Sequence, residues 1–238
     1  MSGVLFDGFK RLRFENACFA YEAGSQPIFD DLTCDLPLGK NIFVAGQSGS
    51  GQSTFLKLLA VLVQPQSGHY YINDLDTTEM SFEEFLPIRL KIGYSFDFGG
   101  LIANRTLQEN LILPLLYHKI CAEEEAIERA RKLAEHFSFV RQEHKRPAMV
   151  SGGLRKLICV LRAFILNPEM VVLDDPFTGV GADISRKIVR MIQERREAGD
   201  LKHVFLVSRE ETWVRELNCE TLLISRNAVR YQEERAAS

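Results

Sequence analysis

The chain has 238 residues and a formal net charge of -3 at pH 7, with 46% hydrophobic and 26% charged residues. This composition is typical of globular proteins and excludes disorder, collagen-like repeats and a disulfide-rich miniprotein. Because basic residues do not outnumber acidic ones, the composition argues against a nucleic-acid-binding protein. Five scattered cysteines without a C-x-x-C pair predict reduced thiols and neither a metal centre nor disulfides. No apolar run is long enough to span a membrane, and residues 1–14 lack a signal-peptide core.

The first part of the chain reads mainly as strands. Residues 12–21, 29–36, 69–72 and 91–96 favour β structure, and Asn41–Ala45 is a short apolar strand that meets a burst of glycines. Apolar residues then recur at helical spacing, beginning at Phe55. The local order strand, glycine-rich turn, helix follows.

The middle of the chain reads as helices. Thr106 and Glu109 form a capping-box pattern for a helix that reaches Pro114, and residues 123–137 and 153–166 are amphipathic. An all-apolar run, typical of a buried parallel strand, ends at Asp174 and Asp175. A helix at 184–197 and strands at 203–207 and 221–225 complete the pattern. It predicts an α/β core that holds a helical insert.

The strongest local motif is a glycine-rich loop at residues 46–54 with the frame G-x-x-x-x-G-x-S. Glycines let successive backbone N–H groups face phosphate oxygens, and a helix N-terminus adds its positive dipole. A hydroxyl at Ser53 is placed for Mg²⁺. Gln52 stands where the motif requires lysine. The alternative interpretation is a glycine-rich turn between strand and helix that binds nothing. The members of the loop are Gly46, Ser48, Gly49, Ser50, Gly51, Gln52, Ser53 and Thr54.

Two further motifs are weak when taken alone. Asp174 ends a buried strand, as a Mg²⁺-positioning carboxylate does in P-loop proteins, but many buried strands end in aspartate. Ser151, Gly152 and Gly153 enter a helix, for which Ser151 is an ordinary N-cap.

Together and in this order, the motifs resemble the ATP-binding subunit of an ATP-binding-cassette (ABC) transporter over nearly the whole chain. The ordered matches are Tyr21 for the adenine-stacking aromatic, the phosphate loop at 46–54, residues 92–97 before the Q-loop, 106–111 for the helix after it, 150–154 for the L-S-G-G-Q signature, 174–179 for the Walker B carboxylates and D-loop, and 207–210 for the switch.

The resemblance implies a P-loop NTPase (RecA-like) core with an N-terminal antiparallel β subdomain and an inserted α-helical subdomain. It implies one cassette over residues 1–238, with the insert at 99–166. ATP and Mg²⁺ are the implied cofactors. Nucleotide contacts fall to Tyr21, Asp97 and the phosphate loop, and Mg²⁺ falls to Ser53 and Asp174. Asp175 and Arg209 take the catalytic positions, both in degenerate form.

Six positions depart from the family pattern, and all of them normally touch nucleotide, attacking water or the partner cassette. They are Gln52 for lysine, Asp97 and Leu154 for glutamine, Asp175 for glutamate, Gly181 for aspartate and Arg209 for histidine. The lost lysine charge weakens ATP binding by about one to two powers of ten, and the shorter Asp175 side chain slows hydrolysis. Slow or absent hydrolysis is expected. A working ATPase with a tolerant site is the alternative.

The implied partners are an integral membrane permease and a second ATP-binding subunit. In this family two subunits pair head to tail, so Ser151, Gly152 and Gly153 face ATP held by the partner. This favours a heteromer with an active paralogue. The expected location is the cytoplasmic face of a membrane. The alternative function is that of a catalytically competent transport ATPase. A soluble ABC protein of translation or DNA repair is a third reading. The permease is expected in a cleft near residues 96–101, where Phe96, Phe98, Leu101 and Ile102 form an apolar cluster.

Overall fold

The computed structural model describes residues 6–22, 25–98 and 100–232. In chain order the strands are β1 (Leu12–Phe19), β2 (Phe29–Asp35), β3 (Asn41–Ala45), β4 (Ser67–Ile72), β5 (Leu75–Asp76), β6 (Ile92–Ser95), β7 (Met170–Asp174), β8 (His203–Val207), β9 (Glu220–Ser225) and β10 (Ala228–Gln232). The helices are α1 (Gln52–Leu59), α2 (Phe82–Arg89), α3 (Leu107–Tyr117), α4 (Glu123–His136), α5 (Gly152–Phe164), α6 (Ala182–Glu197) and α7 (Glu211–Glu216). Short 3-10 turns occupy Val140–Gln142 and Pro147–Met149.

The strands form two sheets. One is antiparallel with the order β2-β1-β4-β5, and the other has the order β10-β9-β3-β8-β7-β6. In the second sheet β3 and β6 to β9 are parallel, and β10 is an antiparallel edge strand. Parallel strands need helical crossovers that cover both faces, which explains why β7 is buried along its whole length.

Two apolar cores flank the six-stranded sheet. One holds Phe14, Phe29 and Phe55, which join the antiparallel sheet to α1. The other joins the opposite face of the sheet to α3, α4, α5 and α6. The helical insert therefore shares a core with strands β7 and β8.

The order of the parallel strands brings three charged residues together. Strands β6, β7 and β8 are neighbours, and each is followed within two residues by a charged side chain: Asp97, Asp175 and Arg209. Because parallel strands end at the same edge of a sheet, these side chains lie at one edge, where α/β proteins bind ligands.

The fold class predicted from the sequence is confirmed, including the antiparallel β subdomain and the helical insert. Gly99, the expected first residue of the insert, lies outside the described residues. The prediction missed α2, β5, α7 and β10, and it ended α3 too early. Helix α3 continues through Pro114 because burial of Leu111 and Leu115 outweighs the lost backbone hydrogen bond. Within the described ranges, no helix is long and apolar enough to cross a membrane.

Candidate functional site

The phosphate loop links β3 to α1, as predicted. Gly49 and Gly51 have φ values of +81° and +89°, a left-handed conformation that favours glycine. A Cβ on Gly51 would lie 2.4 Å from Cγ2 of Ile28 and 3.0 Å from Cζ of Phe29, so a larger residue does not fit there. The buried hydroxyl of Ser50 has no hydrogen-bond partner in the described part of the chain. A curled loop with an unused donor beside a helix N-terminus fits a phosphate group.

Gln52 turns back onto its own loop. Its Nε2 donates to the carbonyl oxygen of Gly46 at 3.3 Å, so the amide closes the loop. A lysine ammonium would bring a positive charge to this position, whereas the amide brings none. Gln52 therefore gives the loop a hydrogen bond but no positive charge.

Ser53 and Asp174 are joined, and their chemistry fits Mg²⁺. The Ser53 hydroxyl donates to Oδ1 of Asp174 at 3.0 Å. Burial raises the pKa of Asp174, and this hydrogen bond opposes the rise. A hydroxyl and a buried carboxylate oxygen are hard ligands of the kind that Mg²⁺ prefers. The pair expected from the sequence is therefore together at the mouth of the phosphate loop.

Tyr21 lies beside the start of α1. Its hydroxyl is 3.2 Å from Oγ1 of Thr54 and accepts from Nζ of Lys57 at 3.3 Å. The Lys57 ammonium also lies 5.6 Å from the ring centroid. The ring is exposed next to the phosphate loop, a placement that suits stacking on a nucleotide base.

Both oxygens of the Asp175 carboxylate are occupied. Oδ2 accepts from Nε of Arg209 at 2.7 Å and lies 2.5 Å from its Nη2. Oδ1 accepts from the Thr178 hydroxyl at 2.9 Å and from the Arg209 amide at 3.3 Å. The side chain of Asp175 is only 3% exposed, and hydrogen bonding to it raises the pKa of Arg209. These three hydrogen bonds and the ion-pair contact of Nη2 use both oxygens of the buried carboxylate and compete with a water molecule for its lone pairs.

Asp97 connects Arg209 to a further residue, Lys156. Nη2 of Arg209 lies 3.4 Å from both Asp97 oxygens, and Nζ of Lys156 lies 2.7 Å from Oδ1. Lys156 also donates to the backbone carbonyls of Asp97 and, at 3.1 Å, of Asp175. We call Asp97, Lys156, Asp175 and Arg209 the charge network. Sequence reasoning gave Lys156 no role, and its only signal was its place on the helix that begins with the signature.

The signature segment lies at the start of α5. The Ser151 hydroxyl caps the helix by accepting from the Leu154 amide at 3.2 Å. A Cβ on Gly153 would lie 2.3 Å from the Gly179 carbonyl oxygen, so this position packs tightly on the D-loop. Gly152 and Gly153 border a cleft of about 630 Å³ whose described lining includes no residue of the phosphate loop. The signature thus lies apart from this chain's own loop. Of the two substituted positions nearby, Leu154 packs against the core, and Gly181 leaves α6 without a capping side chain.

The expected apolar cluster near residues 96–101 is divided between two clefts. Phe98 and Leu101 line the cleft beside the signature, whereas Phe96 lines a separate groove of about 340 Å³. That groove lies between α2, α3 and α5 and includes Arg89 and Arg162. Burial lowers the pKa of both guanidinium groups. Each donates to a backbone carbonyl, and no carboxylate pairs with either among the described residues.

Comparison with known proteins identifies the architecture. Residues 29–178 match the family model described as ABC transporter. The chain is 34% identical over 157 residues to a probable ribonucleotide transport ATP-binding protein of Mycobacterium leprae, covering 66% of this chain and 45% of that protein. It is 28% identical over 188 residues to the cell division ATP-binding protein FtsE of Haemophilus influenzae, covering 79% of this chain and 86% of that protein.

A solved structure agrees closely in fold. The ATP-binding cassette MJ0796, a dimer in a post-hydrolysis state bound to ADP and Pi, superposes with a TM-score of 0.84 at 26% identity, covering 94% of this chain and 99% of that one. The chain spans less than half the length of the ribonucleotide transport relative. More than half of that relative therefore lies outside the aligned region.

Proposed function

Because the chain belongs to the ABC transporter ATP-binding family, we propose that it is a transporter subunit with an impaired catalytic site. It lies on the cytoplasmic face of a membrane as the peripheral partner of a permease. It binds ATP weakly, hydrolyses it slowly or not at all, and pairs with a more active paralogous subunit.

The observation that carries the proposal is the occupied Asp175 carboxylate. A carboxylate in this position acts on a water molecule by accepting a hydrogen bond and then a proton from it. In this chain the same lone pairs accept from Arg209 and Thr178. The substitutions at positions 175 and 209 therefore act together against hydrolysis.

Nucleotide binding is reduced rather than removed. The curled loop supplies backbone N–H groups and the N-terminus of α1, and Tyr21 offers an exposed ring. Ser53 and Asp174 would hold Mg²⁺, which neutralises phosphate charge when bound. The MJ0796 cassette, bound to ADP and Pi, is a structural precedent for nucleotide in this fold.

The preserved signature supports the pairing. Ser151, Gly152 and Gly153 keep their cap and their tight packing, although the chain's own site is altered. A homodimer would combine two sites that each hold the Arg209–Asp175 pair. A heteromer lets this signature complete an intact site on the partner. MJ0796 is dimeric, which supports pairing but not its asymmetry.

The groove that contains Arg89 and Arg162 supports the permease contact. Its lining is otherwise largely apolar, and its two partly buried guanidinium groups pair with no carboxylate of the described residues, which favours an acidic partner segment. One relative at 28% identity, MacB of Neisseria gonorrhoeae, is named a macrolide export ATP-binding/permease protein. The relatives named above differ in cargo, so no cargo is assigned.

The proposal is tested by measuring ATP binding and hydrolysis with the purified chain, alone and with any copurifying subunit. Weak binding and negligible hydrolysis by the chain alone are expected. Hydrolysis by the isolated chain at the rate of an ordinary transport ATPase would overturn the impaired-site proposal.

The permease contact is tested separately by Arg89→Glu, which places a negative charge in the groove. We expect this variant to lose sedimentation with membranes of its native cells while keeping ATP affinity. Arg215→Glu, at an exposed position of α7, is the matched control and should sediment normally. Equal sedimentation of both variants would exclude the groove as the contact.

A further inference from the structure

Lys156 joins three parts of the fold through a single ammonium group. It belongs to α5, the helix of the insert that begins with the signature. Its three donors meet three acceptors: Oδ1 of Asp97, the carbonyl of Asp97 and the carbonyl of Asp175. Asp97 follows the core strand β6, and Asp175 follows the core strand β7. The insert is therefore fastened to the ends of two core strands.

The ammonium group is enclosed and fully paired. The Lys156 side chain is 10% exposed, and its Nζ lies 5.6 Å from the centroid of the Phe98 ring. A lysine has three N–H donors, so none remains for a ligand. Removing the charge would leave Asp97 to Arg209 alone, at the longer distance of 3.4 Å.

The contact lies close to the signature along the same helix. Ser151, the N-cap, precedes Lys156 by five residues, or about 7.5 Å of helix rise. The Cβ that Gly153 lacks would meet the Gly179 carbonyl, so the same end of α5 also touches the D-loop. Fixing Lys156 against the core thus fixes the position of Ser151, Gly152 and Gly153.

We propose that Lys156 is a positioning residue that holds the signature segment in place without a nucleotide in this chain's own site. All three acceptors belong to the chain itself, so the arrangement does not depend on bound phosphate. Resting on the proposed function, this means that the chain presents its signature to the partner's ATP at all times. The altered site would then serve the complex as a fixed surface.

The test is hydrogen–deuterium exchange of the full chain with and without MgATP. In the wild type, residues 93–98 and 152–158 should be equally protected in both conditions. Lys156→Gln should raise exchange in both segments by about 10–100-fold, the factor expected for the loss of a charge-assisted hydrogen bond. Lys156→Arg keeps the charge and should retain most of the protection.

The matched control is Lys132→Gln, at an exposed position of α4, which should change neither segment. Asp97→Asn removes the charge of the acceptor and should raise exchange in the same two segments. If Lys156→Gln does not fold, the exchange measured with Asp97→Asn tests the proposal in its place. Protection that appears only with MgATP, or that survives the loss of the Lys156 charge, would overturn the inference.

This outcome is separable from that of the proposed function. Rapid hydrolysis together with Lys156-dependent protection would overturn only the impaired-site proposal. Slow hydrolysis with protection independent of Lys156 would overturn only the positioning role.

Discussion

Arg209 holds Asp175 by two hydrogen bonds and an ion pair: Nε donates to Oδ2 at 2.7 Å, the backbone amide donates to Oδ1 at 3.3 Å, and Nη2 lies 2.5 Å from Oδ2. Arg209 itself is 60% exposed, whereas Asp175 is buried. The buried carboxylate is thus covered by a side chain that reaches in from the surface. Two substitutions that look like separate losses in the sequence form one contact in the fold.

Restoring hydrolysis should therefore need both members of this pair. Asp175→Glu alone keeps the guanidinium beside the carboxylate and should change the rate little. Asp175→Glu with Arg209→His, in a Gln52→Lys background, frees a longer carboxylate and should raise phosphate release by about 10²-fold. A steady-state phosphate assay measures this. A full gain from Asp175→Glu alone would show that Arg209 is not the obstacle.

Gln52→Lys should strengthen ATP binding without restoring hydrolysis. The ammonium replaces a neutral amide that now bonds to Gly46, and a charge-assisted contact is expected to lower Kd by about 10–100-fold. Isothermal titration of MgATP measures the change. Gln142→Lys, in a 3-10 turn of the helical insert, adds the same charge elsewhere and should leave Kd unchanged.

Gly153→Ala should destabilise the domain by disturbing the contact between signature and D-loop. The new methyl group would lie 2.3 Å from the Gly179 carbonyl oxygen, and the backbone there must move. A cost of about 1–3 kcal/mol is expected for such overpacking. The control is Gly152→Ala, whose methyl group would lie 3.7 Å from Nη2 of Arg155. Urea unfolding of both variants measures the difference. Equal unfolding free energies for Gly153→Ala and Gly152→Ala would contradict the tight contact.

His203 should make stability depend on pH. Its Nδ1 accepts from the Gly39 amide at 2.8 Å, and its Nε2 lies 3.9 Å from Oε1 of Glu169. Burial lowers its pKa to about 4 from an ordinary 6.5, with Glu169 opposing the shift and Lys202 and Arg196 adding to it.

Because the folded pKa lies below the unfolded one, the unfolded chain takes up the proton first. The contribution to stability is therefore complete above pH 6.5 and is lost as the pH falls towards 4. The loss amounts to about 3 kcal/mol.

His203→Asn keeps an acceptor for Gly39 and removes the titration, so its unfolding free energy should fall less than that of the wild type across this range. His144→Asn, at an exposed position, should follow the wild type. If the unfolding free energies of the wild type and His203→Asn fell equally with pH, His203 would not be the group responsible.

The local parts of the site were readable from the sequence because their signals act over a few residues. Gly49 and Gly51 require left-handed backbone where the loop curls, and the capping box of Thr106 and Glu109 is present as predicted. Helix α2 was missed although Ser81 and Glu84 form a capping box, because Pro87 interrupts its short pattern. The edge strand β10 has no buried side chain to mark it.

The sequence by itself determined the class of the protein, predicted the Ser53–Asp174 pair, and identified six departures from the family pattern. Only the tertiary structure decided what the side chains at those positions contact. The members of the charge network, Asp97, Lys156, Asp175 and Arg209, are separated by up to 112 residues, and no local signal pairs them. The neighbouring order of β6, β7 and β8 brings their following residues to one edge, where the buried Asp175 carboxylate is stabilised by pairing with a positive charge.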